Sequence, residues 1–244
     1  MEMLGVFVIG FLASLLGAIS TGANLISVPG LIFLGIPPIS AIATTRLSAI
    51  TGASTVVYRY NKAKMVRWAY LPMFFGIAIT AGILGPRLLL HINEHHIEPI
   101  IGALLLISLP LLFFKRSFGE KRTRTSHVRK LIGLVVLFVV MIYGTAFSIG
   151  GGVFLLYTLV YFFGMTLTEG NATGAAVWVL SAATASISYI SNGDVDFGIV
   201  VPMIVGSVMG GYIGVRLAIK HGVHWVKYIL AIVILVSAIK LLFF

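Results

Sequence analysis

The chain has 244 residues, 59% of them hydrophobic and 10% charged, and its mean hydropathy is +1.08. A soluble domain carries about 25% charged residues, so this composition excludes an ordinary water-facing surface and points to a polytopic protein in a lipid bilayer. The formal charge of +10 and the absence of cysteine complete the frame. Basic loops in a membrane chain set orientation and do not call for nucleic acid, while disulfides and thiolate metal or redox chemistry are excluded.

A crossing helix needs about 20 apolar residues. Met3–Ser20 is a first apolar segment, with no basic flank or cleavage site to mark it as a leader. It ends at a break, Ser20-Thr21-Gly22-Ala23-Asn24. Leu25–Leu34 is too short to cross alone and stops at Gly35-Ile36-Pro37-Pro38. Ser40–Tyr58 is expected to cross, followed by a loop with Arg59, Lys62, Lys64 and Arg67. Trp68–Leu90 crosses next, with Trp68 and Tyr70 suited to the interface. The connector His91–Glu98 is polar, and Ile100–Phe114 completes the first half.

Lys115–Lys130 holds Lys115, Arg116, Lys121, Arg122, Arg124, Arg129 and Lys130, and reads as a cytoplasmic linker. The plan then repeats. Leu131–Phe147 is apolar, Ser148-Ile149-Gly150-Gly151-Gly152 breaks it, and Val153–Phe163 is a short piece ending at Gly164. Thr168–Ile190 and Phe197–Ile219 cross, separated by the acidic loop Asn192–Asp196. Lys220, His221, His224 and Lys227 form a basic turn around the start of the last helix, Trp225–Phe244.

Gly35 matches Gly164, Ala43-Thr44 matches Ala172-Thr173, and Gly85 and Arg87 match Gly214 and Arg216, all offset by 129 positions. Pro72 and Gly76 match Pro202 and Gly206 at 130. Such ordered matches argue for duplication, a common plan among secondary transporters. The loop after Tyr58 is basic and its counterpart after Ile190 is acidic, which places equivalent loops on opposite faces. The expected fold is an all-α polytopic membrane protein of two inverted repeats, 1–114 and 131–244, joined by the linker 115–130. Each repeat has a broken or re-entrant hairpin followed by three spanning helices. Both termini then face outside.

The breaks are the candidate site. Gly costs about 1 kcal/mol relative to Ala in a helix interior, and irregular backbone in a bilayer survives only where protein buries it or a cavity hydrates it. Inverted hairpins bring the two tips together near the midplane. The amides opening the next helical pieces, together with Gly22, Ala23, Asn24, Ser148, Gly150, Gly151 and Gly152, would then hold a small anion. Packing of small residues between helices is the plain alternative. Thr44, Thr45, Asn171 and Thr173 are polar partners from the following spans, Thr44 and Thr173 at equivalent positions. Arg46 lies several residues inside an apolar span, so it contacts ligand or gate, snorkels to a surface, or pairs with Glu169. Glu169 pairs with a cation, carries a coupling proton, or is solvated at the helix start. Arg87 and Arg216 near helix ends read as interface anchors.

Gly150-Gly151-Gly152 after Ser148, Gly22 with Val28-Pro29, Ala43-Thr44-Thr45, Ala172-Thr173-Gly174 and Asn192-Gly193-x-Val195-Asp196-Phe197 occur in order along nearly the whole chain. Together they resemble the sulfite exporter TauE/SafE family of bacterial and archaeal permeases. The family's leading Gly is Ser148 here, and the first copy departs further at Ala23 and Asn24. The resemblance implies transport of sulfite, sulfoacetate or a related sulfonate across a prokaryotic cell membrane. The coupling ion (H+ or Na+) and a homo-oligomer are left open.

Other signals lead nowhere. His91-x-x-Glu94-His95 fits a zinc-protease string but sits in a polar turn without a third ligand. Asn171-Ala172-Thr173 is a glycosylation string inside a membrane segment. No Walker loop or Ser/His/Asp set is present, so no cofactor and no enzyme activity are expected. A non-transporting membrane partner or assembly subunit explains the helices but not the paired breaks.

Overall fold

The computed structural model describes residues 2–20, 23–112, 119–221 and 226–243. Thr21 and Gly22 at the first break, Lys115 and Arg116 in the linker, and His224 lie outside the described residues. There are ten helices among the described residues and no strand. They are α1 (Glu2–Ser20), α2 (Asn24–Phe33), α3 (Pro38–Lys62), α4 (Leu71–Leu90, entered through a 3-10 turn, Trp68–Tyr70) and α5 (Glu94–Leu112). The second half contains α6 (His127–Phe147), α7 (Gly151–Phe163), α8 (Leu167–Asn192), α9 (Phe197–His221) and α10 (Val226–Phe243).

Local chemistry sets these bounds. Pro38 opens α3 where its missing N–H is not needed. Thr166 and Glu169 form a reciprocal capping box on α8, and Ser126 caps α6 by accepting from the Arg129 N–H at 3.3 Å. Gly164 (φ 69°) and Gly193 (φ 79°) end α7 and α8 in left-handed turns that a Cβ would oppose. Among the described residues four stretches are long and apolar enough to cross a membrane: Trp68–Leu90, His127–Phe147, Leu167–Asn192 and Phe197–Lys220. The third expected span of each half is not among them, because the apolar parts of α5 and α10, His96–Pro110 and Ala231–Leu242, are shorter. The expected Ser40–Tyr58 crossing is not among them either. Its helix, α3, has the length but carries Thr44, Thr45, Arg46 and Ser48, all buried inside the bundle rather than facing lipid. Two expected loops are shorter than read: α5 starts at Glu94 within the polar connector, and α6 starts at His127 within the linker.

α1 lies along α9, α3 along α8 and α9, α4 along α6 and α8, and α5 along α10. The short helices α2 and α7 fold back on α1 and α6. Gly206, Gly210 and Gly214 recur every four residues on α9, and a Cβ on each would strike the α1 backbone at Phe7, Phe11 and Leu15 in turn. This rising match makes the two helices parallel and their backbones touch, as small residues permit in membranes. α3 and α8 run antiparallel. Thr44 Oγ1 accepts the Asp196 N–H just beyond α8 (3.3 Å), and Thr173 Oγ1 accepts the Arg67 N–H just beyond α3 (3.1 Å). Both partners of one bond are offset by 129 positions from those of the other.

Candidate functional site

The second break is narrower than the glycine run. α6 ends where Ser148 turns to φ 62°, an uncommon conformation for a residue with a Cβ, and Gly150 follows at φ 68°. Gly151 and Gly152 already belong to α7, so the expectation that all three glycines lie in the break is corrected. Only Gly150 has the left-handed φ that calls for glycine. Gly151 serves a different need: a Cβ there would press on the Gly144 backbone and approach the Trp178 ring to 3.2 Å. The Val153 and Phe154 N–H groups both donate to Gly150 O (2.9 and 3.1 Å), leaving the Gly151 and Gly152 amides without an intrahelical carbonyl. At the first break, Ala23 is helical (φ −51°) and its carbonyl accepts from Ile26 and Ser27, while Asn24 Oδ1 accepts from Ser27 Oγ at 3.4 Å.

A cavity of about 110 Å³ lies between these breaks, walled by α1, α2, α3, α8, α9 and the start of α7. A water needs about 10–15 Å³ on this measure, so the space holds several waters or a small molecule of the same volume. Of the candidate residues, Ala23, Asn24, Thr45, Arg46, Ser148, Gly150, Gly152 and Asn171 line it. Thr44 and Thr173 do not; they hold the inter-helix bonds above. Gly151 faces Gly144, and Gly22 is outside the described residues.

Arg46 is the cavity's cation. It is 1% exposed, its Nη2 donates to Gly144 O, and its guanidinium carbon lies 5.0 Å from the Trp178 ring centroid. Among the described residues its Nε has no hydrogen-bond partner, and neither has Ser148 Oγ, itself 2% exposed. Among the described residues no Asp or Glu lines the cavity. A buried charge without a counterion is costly, and a carbonyl and a ring face offset only part of that cost. The arrangement favours an anion. Among the described residues no cluster of His, Asp and Glu could hold a metal.

Glu169 is not at this cavity. Its carboxylate accepts from Arg122 Nε (2.8 Å) and Nη2, lies 3.8 Å from Arg67, and completes the α8 capping box. Backbone bonds from Thr123 to Gly164 O and from Leu167 to Gly119 O fasten the same linker turn. The proximity of Glu169 raises the Arg122 pKa above its ordinary value. Arg46 does not pair with Glu169, and Arg87 and Arg216 are exposed. Trp178, Ser14, Ser48 and Ser207 line the cavity without having been singled out. A signal existed for Trp178: Asn171, Ala175, Trp178 and Ala182 form one helical stripe.

A sequence profile for the family described as "Sulfite exporter TauE/SafE" matches residues 4–241. A "Probable membrane transporter protein" of Haemophilus influenzae is 24% identical over 97% of this chain and 93% of its own length. "Probable membrane transporter protein ORF9" of a Sinorhizobium species is 26% identical over 97% and 90%. "Probable membrane transporter protein YjnA" of Bacillus subtilis is 27% identical over 95% and 96%. These relatives are named as membrane transporters and not as enzymes, in keeping with the apolar helices. With its apolar helices and near full-length match, the chain belongs to the sulfite exporter TauE/SafE family of multi-pass membrane proteins.

Proposed function

We propose that the protein is a secondary permease for a small anion, a sulfur oxyanion or organosulfonate such as sulfite or sulfoacetate. The anion sits between the helix breaks and reaches either side by alternating access. The observation that carries this reading is the buried, carboxylate-free Arg46, whose unpartnered Nε shares one cavity with the unpartnered Ser148 Oγ and with Gly152 at the start of α7. The family description supplies the sulfur chemistry. Ser148, Gly152, Asn24 and Thr45 complete the proposed contacts.

Alternating access rests on two inverted repeats, 1–114 and 131–244. In support, exchanging α1–α5 with α6–α10 turns α1 on α9 into α6 on α4, and α3 on α9 into α8 on α4. The same exchange leaves α3 on α8 and α5 on α10 as they are. The Thr44 and Thr173 bonds interchange as well. In the proposed orientation the linker 115–130 is cytoplasmic and both termini lie outside a prokaryotic cell membrane. Flux of labelled sulfite, sulfoacetate and sulfate in proteoliposomes tests the function. Saturable flux of a sulfur anion is expected; folded protein that moves none of them would refute it.

A further inference from the structure

We propose that Tyr60 and Tyr189 are paired gate residues, each closing one end of the cavity in one of two transport states by bonding a carbonyl in the last turn of a broken helix. This rests on the alternating-access reading above. The two tyrosines stand 129 positions apart, the offset of the repeat, near the ends of α3 and α8. Both are buried, at 1% and 0% exposure.

Their bonding differs. Tyr60 O–H donates to Ala18 O at 2.9 Å, the Asn171 amide donates to the same carbonyl at 2.8 Å, and that amide lies 3.4 Å from the Tyr60 oxygen. This knot joins the end of α1, the end of α3 and the start of α8, at the end of the cavity lined by Ala18, Val56 and Asn171. Tyr189 has no such bond; among the described residues its hydroxyl has no hydrogen-bond partner. Buried polar groups are rarely left so, and because the repeat mate Tyr60 is bonded, the difference between the two points to a second arrangement in which Tyr189 is satisfied.

The aligned breaks name the acceptor. Ser20 and Ser148 stand 128 positions apart, one residue short of the offset that relates the tyrosines, and in that local register the counterpart of the Ala18 carbonyl is that of Ala146. One turn away, Gly144 O is occupied by Arg46 and by the Ser148 N–H. A shift of the hairpins that frees Tyr60 from Ala18 and brings Tyr189 to Ala146 would exchange the closed end of the cavity. The halves are unequal in one respect: the position matching Asn171 is Ile42, so the Tyr60 closure has an extra donor and holds the state seen here.

The chain has no cysteine, so Ala49→Cys in the cavity wall is a single reporter for a membrane-impermeant maleimide added to either side of oriented proteoliposomes. Adding Tyr60→Phe is expected to raise labelling from the side of the α3–α4 loop by about threefold to tenfold, the worth of one net hydrogen bond. Adding Tyr189→Phe is expected to lower it by a similar factor, since the opposite state then loses its bond. If Tyr60→Phe does not fold, Asn171→Leu must show its sign. Unchanged labelling with Tyr189→Phe, or shifts of the same sign for both tyrosines, overturns the pair. A parent protein that moves no anion refutes the proposed function alone, because the labelling needs two conformations and no flux.

Discussion

Replacing Arg46 with Gln separates a guanidinium that holds ligand from one that only holds structure. Without ligand the side chain is 1% exposed, lies against Trp178 and bonds Gly144 O, with no ion pair among the described residues. Replacing a buried charge that has no counterion by a neutral side chain removes a desolvation cost that the carbonyl and the ring offset only in part. Gly144 O also keeps the Ser148 N–H at 3.0 Å, so the change does not orphan the carbonyl. The unliganded variant is therefore expected to melt at or above the parent temperature. With an anion bound, loss of a buried, hydrogen-bonded charge partner costs about 2–5 kcal/mol. That weakens affinity by about 30-fold to 5,000-fold. Calorimetric titration with sulfite in detergent reads the affinity, and a thermal scan of the same sample reads the fold. An unchanged Kd, together with a lowered melting temperature, would show that Arg46 is a structural anchor and refute the reasoning.

Three further changes test neighbouring parts of the account. Gly151→Leu places a side chain against Gly144 and Trp178, so it is expected to abolish the folded peak on size-exclusion chromatography; a folded variant that merely loses anion binding would contradict this packing role. Thr44→Ala and Thr173→Ala each remove one acceptor for a loop N–H, and each is expected to cost about 1 kcal/mol while leaving anion affinity intact. Unequal losses, or a changed Kd, would count against their matched structural roles. Glu169→Gln loosens Arg122 and Arg67 from the α8 start, so trypsin is expected to cut the linker at Lys121 to Arg124 severalfold faster while the pH dependence of flux stays the same. A flattened pH profile would instead make Glu169 a proton carrier.

The helices were legible because apolar runs, Gly-Pro punctuation and capping residues act locally. Gly164 and Gly193 stop helices for a reason visible in one sequence, the need for a left-handed turn. The capping box Thr166-x-x-Glu169 is equally local, and Glu169 both closes it and pairs with Arg122, a cation that only the folded linker brings to it. The roles of the other break residues depended on packing. Gly151 is a glycine because Gly144 lies against it, and no local pattern contains that fact. The repeat paired Thr44 with Thr173, but pairing does not say which face a residue occupies. Successive residues turn by about 100° around a helix, and Thr45 and Arg46 reach the cavity while Thr44 does not. Extending the stripe from Asn171 by 4, 7 and 11 residues would have found Trp178. Arg46 could be suspected from its depth, but its lack of a counterion required the bundle.

The central claim is that an anion lies in the cavity against Arg46 and the start of α7. Selenite, a sulfite analogue whose selenium scatters anomalously, tests it most directly in crystals of the parent protein. The account predicts one strong anomalous peak within hydrogen-bonding distance of Arg46 Nε and Ser148 Oγ, and none in Arg46→Gln. A peak confined to the linker arginines, or an empty cavity at saturating selenite, would contradict it.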